Sequence, residues 1–423
     1  MADFETADVF KDMEVTNDPY PYFEYLRGRG SVTPLPSRNV VAVTGYDEGI
    51  AIFRDDENFS AVDSTTGPFL PLEFDASRDI DGQIAQCRAE FPFANTIINQ
   101  DLPNHNRSKA ILKGIITPAR LKENEAFMHA LSGQIIEEFV DRGRFEVVSE
   151  YGQPFAQLVI ADLLGVPKED HLQFRSMIGA PGQLPGTLGG EFDFARNPFV
   201  GIAMQFASYI QDRRQNPRDD VLTRLARQTA EDGRLPDVME VVAVATFLFG
   251  AGQDTTVQLF TGMMRYLAEN PGLEDRLRAN PASIPDFIEE VLRLQGTVKS
   301  TFRYVRRPVT VGGVDLEPGT HVMINLAAMN RDPSRFQDPT KFDAERNNLR
   351  THVSFGRGIH ACAGAPLARA EARATMECVL SRMKNFRLDK VKHGDHGTPR
   401  FDYLPNYSLR GVTEMHVEFD VIG

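Results

Sequence analysis

Cysteine is scarce in this chain: Cys87, Cys362 and Cys378 are the only three in 423 residues. They are too few and too far apart for a disulfide framework, which fits a reducing compartment. None has a C-x-x-C partner and the nine histidines form no H-x-x-x-H pair, so a structural zinc site lacks its ligands. Basic residues are outnumbered, 46 against 59 acidic ones, and the formal net charge of -13 argues against general nucleic-acid binding while leaving room for a local basic patch. Long apolar runs are missing as well. Val241 to Gln253, VVAVATFLFGAGQ, carries no charge but falls short of the roughly 20 residues of a membrane span, and reads as the middle of a core helix. The opening MADFETADVFKDMEVTNDP has neither a basic n-region nor an apolar stretch, so the expected location is cytoplasmic, away from membranes. No repeat, low-complexity tract or linker divides 1–423, which is expected to be one globular domain and a monomer.

What the chain does contain is concentrated in a few local patterns. FGRGIHACAG places Phe355, Gly358, Cys362 and Gly364 at the spacing F-x-x-G-x-x-x-C-x-G, and PLARAEARATMECVLSRM after it suits a buried helix, so 351–383 reads as a loop leading into a helix. A thiolate at a helix N-terminus meets free N–H groups and the positive end of the dipole, which lowers its pKa and suits a metal-ligating sulfur. His360, two residues earlier, would alternatively mark a zinc site, but one short of further ligands.

Asp237 to Asn270 reads as one helix about 51 Å long, stopped by Pro271. In its middle, GAGQDTT sets two helix-weakening glycines, Gly250 and Gly252, beside the Asp254 carboxylate. Such a conflict with the apolar surroundings marks a functional site or, alternatively, a packed kink. SIPDFIEEVLR starts with a capping-box pattern, Ser283 and Asp286, and holds Glu290 and Arg293 three apart, which alone is no more than a surface pair.

The ranges 31–44 and 296–326 read as strands, with turns at Gly312-Gly313 and Pro318-Gly319. The range 60–100 is rich in Phe, Gly, Pro and Asp without a clean period and reads as a long irregular loop. Its Phe69, Leu70, Phe74, Phe91, Phe93 and Ile97 either line a pocket or pack the loop down. Amphipathic helices fill much of 122–233, broken by APGQLPGTLGG with Phe192 and Phe194 after it.

Together these motifs resemble the cytochrome P450 family of haem-thiolate monooxygenases, and are similar to its soluble bacterial, camphor-hydroxylase-like and ferredoxin-dependent members. The resemblance runs over essentially the whole chain, with its strongest motifs from Asp237 to Met383. It implies a mainly α fold, a single α-rich domain with a minor β-region, around a buried haem b whose iron is held by Cys362 in a loop shaped by Phe355, Gly356 and Gly364. Ala251, Gly252, Asp254 and Thr255 match the family's A-G-x-D-T oxygen-activation site. There small residues let the backbone open a groove, Thr255 offers a proton donor, and Asp254 links that hydroxyl to solvent protons. His105 and Lys109 match a helix that holds a haem propionate; the family's Arg is replaced by Lys109, which keeps the charge and loses the bidentate fork. Arg303 and His352 match further propionate partners, and each of these four is otherwise an ordinary surface residue. Arg346 would complete a Glu–Arg–Arg cluster with Glu290 and Arg293. Val298, Lys299 and Ser300 lie where the family's chain passes the substrate, and Phe192 and Phe194 where it covers the entrance.

The implied activity inserts one atom of dioxygen into a C–H bond of a small apolar substrate, a terpenoid, steroid or aromatic molecule. Electrons would come from NAD(P)H through a reductase and a [2Fe-2S] ferredoxin, which would dock on a basic patch of Arg107, Lys109, Arg357 and Arg369. The rivals are a peroxide-driven peroxygenase or an isomerase on the same fold, and a haem-binding sensor without turnover. Asp254 and Thr255 argue against all three, because they serve proton delivery to dioxygen.

Overall fold

Asp237 and Glu240 close a capping box at the start of the longest helix, Val238–Glu269, and Pro271 follows its end. At 1.5 Å per residue this central helix is roughly 48 Å long, and Val241, Leu248, Phe249, Val257, Phe260 and Met263 bury its sides. It packs against the helices Gln153–Leu164, Phe199–Gln215, Ile284–Gln295 and Ala365–Arg382. The helix is continuous through Gly250 and Gly252. The expected groove is therefore made by small side chains and not by an opened backbone. The computed structural model describes residues 3–35, 39–69, 74–177, 188, 199–229, 233–395 and 398–422, with backbone alone at 92–93 and 175–177. Leu70, Phe192, Phe194 and the Phe93 side chain lie outside what is described.

Among the described residues, ten strands form three small sheets: β1 (Val32–Pro34), β2 (Val40–Val43), β3 (Phe59–Ser60), β4 (Arg144–Glu146), β5 (Thr301–Val305), β6 (Val309–Val311), β7 (Val314–Leu316), β8 (His321–Ile324), β9 (Met383–Leu388) and β10 (His416–Val421). The largest runs β1-β2-β8-β5-β3, with β2 and β8 parallel and the other pairs antiparallel. Side chains alternate across it. Val41, Val43, Val322 and Ile324 meet Phe53 and Met329 on one face, and Val40, Ala42, Phe302 and Met323 meet Phe10, Phe23 and Leu26 on the other. Both faces are covered, so the sequence there reads as continuously apolar.

One expectation needs correcting. The range 60–100 is not wholly irregular, because Ile80–Glu90 is a helix capped by the Asp79 side chain. Only Ile80, Ile84 and Cys87 face inward, too few for the sequence to show a helical period. Among the described residues, no helix is long and apolar enough to cross a membrane.

Candidate active site

Cys362 sits where the short turn Gly358–His360 hands over to the helix Ala365–Arg382. Gly356 and Gly358, at φ of 63° and 72°, bend the loop in a region that side chains disfavour. A Cβ on Gly358 would also run into the Phe53 carbonyl of the helix Tyr46–Arg54. The Cys362 N–H donates to the Phe355 carbonyl at 2.8 Å, and the N–H groups of Gly364 and Ala365 donate to the sulfur. The expected low thiol pKa is overturned for the free side chain: burial raises it and outweighs those N–H groups and the Arg369 charge. Cys362 nevertheless remains exposed. A thiol that is crowded by protein yet accessible looks into an interior cleft.

The central helix carries a matching stripe. Ala243 and Ala251 are exposed, and Phe247 and Thr255 partly so, at positions four apart and hence on one face. A Cβ on Gly252 would meet only Ile160, at 3.7 Å. The Thr255 hydroxyl donates to the Ala251 carbonyl at 2.8 Å. Asp254 makes neither hydrogen bond nor ion pair among the described residues, and burial alone raises its carboxyl pKa. A carboxyl drawn toward its neutral form beside a hydroxyl is suited to passing protons. On the helix's other side, Thr256 donates to Glu371 at 3.1 Å, and burial pushes that carboxyl up to about 8. Sequence reasoning missed Glu371, whose only signal is a lone acid among the alanines of ARAEARA.

Four nitrogen-bearing side chains gather beside the cysteine loop. The rings of His105 and His360 lie 4.3 Å apart, and Lys109 donates to the Ile359 carbonyl at 2.6 Å. Burial, with the charges of Arg303 and Lys109 and the His105 ring adding to it, pushes His360 down to about 2. Burial and Lys109 likewise push His105 down to about 4. Arg303 is buried and donates to the Phe302 carbonyl at 2.7 Å and Ser64 Oγ at 3.3 Å, with no ion pair among the described residues. The buried His105 Nδ1 has no hydrogen-bond partner among the described residues. Two cations, two imidazoles and an orphaned nitrogen, without a carboxylate to close an ion pair, fit the carboxylates of a haem.

His352 does not belong to that group. Its ring is buried, with Nε2 3.0 Å from Glu289 Oε2 and Nδ1 accepting the Ser354 N–H at 3.2 Å. Both nitrogens are engaged, and it is His360 that stands beside His105. The bends at Gly356 and Gly358 decide which histidine meets His105, and spacing alone does not show them.

Glu290, Arg293 and Arg346 are brought together, all buried at their charged ends. Arg293 donates twice to Glu290, both at 2.7 Å, and Arg346 once at 3.1 Å. The spare N–H groups of the two arginines reach the carbonyls of Asn330, Gln337, Asp338, Pro339 and Lys341.

Most of the expected substrate residues are occupied elsewhere. Lys299 is buried and reaches the Thr16 carbonyl of the N-terminal helix Met13–Asn17 at 3.0 Å, and the Ser300 hydroxyl bonds Asn325 Oδ1 at 2.8 Å. Val298 pairs with Leu409 in an isolated bridge. Phe69 packs on Phe10 and Tyr407, Phe74 on Tyr304, Phe91 joins the Ile80 and Cys87 cluster, and Ile97 is in the main core. Each of these loop side chains has a packing partner within the fold, and Phe69 remains partly exposed. The expected basic patch is also largely spent: Arg369 pairs with Glu289, Lys109 holds Ile359, and Arg357 donates to the carbonyls of Thr351 and His352. Arg350 and Arg373 are the more exposed cations on this side, paired with Asp286 and Glu125, and Arg107 is exposed as well.

The family model of cytochrome P450 matches residues 185–401. The substrate-free structure of Mycobacterium marinum cytochrome P450 CYP150A6 is similar over 99% of this chain and 100% of that one, with a TM-score of 0.93 and 45% identity. The putative cytochrome P450 140 of Mycobacterium bovis is 30% identical over 390 residues, 90% of this chain and 86% of that protein. CYP109E1 of Bacillus megaterium, solved in complex with corticosterone, is 26% identical over 96% of this chain and 99% of its own, with a TM-score of 0.78. The chain belongs to the cytochrome P450 family, monooxygenases with this α-rich fold and haem b as cofactor.

Proposed function

We propose that the enzyme hydroxylates a small apolar molecule, with Cys362 as the residue that would hold the iron of its haem. The exposed Cys362 sulfur inside a crowded loop carries this reading. Haem b, when bound, supplies the iron centre at which dioxygen is reduced and one oxygen atom is passed to the substrate. His105, Lys109, Arg303 and His360 would hold its carboxylates. Asp254 takes protons from solvent, Thr255 presents them at its hydroxyl, and Phe247 and Ala251 form an apolar wall that keeps out stray water. That wall supports a terpenoid, steroid or aromatic substrate, as does the corticosterone complex of the Bacillus megaterium relative.

Electrons would reach this enzyme from NAD(P)H through a reductase and a [2Fe-2S] ferredoxin. An acidic partner would meet Arg350 and Arg373 at a pocket of about 280 Å³ beside the cysteine loop and would compete there with Asp286 and Glu125, their partners in this structure. A screen for compounds that shift the ferric haem to high spin supplies the substrate. NADH consumption with ferredoxin and reductase should then yield hydroxylated product and slow with added salt. In Cys362→Ser the thiolate-type spectrum of the reduced carbonyl complex should vanish; its survival would remove the assignment, and salt-independent reduction would remove the patch.

A further inference from the structure

Asp63 is fully buried behind Arg303. Its Oδ2 lies 2.8 Å from His321 Nδ1, and its Oδ1 has no hydrogen-bond partner among the described residues. Next to it in the chain, Ser64 accepts a bond from Arg303, and its carbonyl accepts one from Phe302. The β5–β8 register sets Tyr304 opposite His321 and Arg303 opposite Val322, so the arginine and the histidine leave opposite faces of the sheet, and the Asp63–Ser64 segment touches both, Asp63 the histidine and Ser64 the arginine. The Tyr304 and His321 rings meet edge to face at 4.9 Å. Arg303 also feels Asp56 and Asp101, but Asp63 is its strongest charged neighbour.

We infer that Asp63 and His321 form a positioning pair for Arg303, setting how much of its charge reaches a haem carboxylate. This rests on the reading that Arg303 holds one. The Asp63 side chain draws on the guanidinium charge, and its contact with His321 Nδ1 limits how much it draws, so the pair sets how far Arg303 stabilises the reduced haem.

The test is the ferric/ferrous midpoint potential of the holoenzyme, together with the rate of haem transfer to apomyoglobin. Asp63→Asn, which removes the carboxylate, should lie above wild type, and His321→Gln, which leaves the carboxylate without its imidazole partner, should lie below it. Opposite displacements are the signature of a charge pair, whereas a packing role would move both variants the same way. Potentials equal to wild type, or displaced together, overturn the pair; His321→Gln alone decides if Asp63→Asn does not fold. Arg303→Gln should lose haem several-fold faster, and an unchanged rate would overturn the underlying reading instead.

Discussion

Thr256 on the central helix and Glu371 on the helix after the cysteine loop are hydrogen-bonded at 3.1 Å, the hydroxyl donating to a carboxyl that is 2% exposed. This joins the two helices that flank the cleft at a point with no other charge partner for Glu371. Burial pushes Glu371 from 4.5 to about 8. A neutral acid of this kind contributes its stability in full below its ordinary pKa and loses it as pH rises toward about 8. At about 1.4 kcal/mol per pKa unit the loss is about 3–5 kcal/mol by pH 9. Glu371→Gln should match the wild type in urea denaturation at pH 5 and exceed it at pH 9; parallel behaviour at both would reject the buried neutral acid.

Lys299 gives the opposite dependence. Burial, with Arg410 nearby, pushes its amine from 10.5 down to about 7. For a depressed base, stability is complete above the ordinary pKa and is lost as pH falls through the folded one. Lys299→Met loses the bond to Thr16, worth about 1 kcal/mol, but is freed of the charging cost. It should be the more stable protein at pH 6, by about 2–4 kcal/mol, and lose that margin near pH 10. A variant less stable than wild type at pH 6 would show that Lys299 is not destabilised by its surroundings.

Thr255→Ala removes a hydroxyl whose bond in this structure is to the carbonyl one turn back. The helix has no need of that bond, so haem binding and oxygen consumption should persist. Proton delivery should suffer, and reducing equivalents should appear as hydrogen peroxide, with product per NADH falling several-fold. An unchanged ratio would deny Thr255 its role.

Glu290→Ala leaves Arg293 and Arg346 buried without their shared counter-charge. Removing one member of such a cluster costs about 3–5 kcal/mol. The variant should therefore show a lower urea midpoint and reduced haem content at equal protein concentration. Full haem content at an unchanged midpoint would mark the cluster as dispensable.

The cysteine loop, the central helix and the Glu–Arg pair were legible because their chemistry is written in contiguous residues. Side-chain direction was not. Lys299 and Thr16, or Phe69 and Phe10, meet through long-range packing that no window of sequence contains. His360 and not His352 meets His105, with two positive φ angles turning the loop between them. The helix Ile80–Glu90 escaped because only three of its side chains are buried. Glu371 and the Asp63–His321 pair are isolated polar residues whose meaning depends on what surrounds them.

Arg293 and Arg346 grip the stretch from Asn330 to Lys341 by its carbonyl oxygens. Every amino acid offers that same oxygen. The outward-facing identities at Gln337, Pro339 and Lys341 are therefore free to drift through mutation as long as the chain keeps its path, while the buried Asn330, Asp332 and Phe336 and the three charged residues that hold the stretch are not. A library randomised at Gln337, Pro339 and Lys341 should retain many haem-loaded members, and one randomised at Arg293 very few.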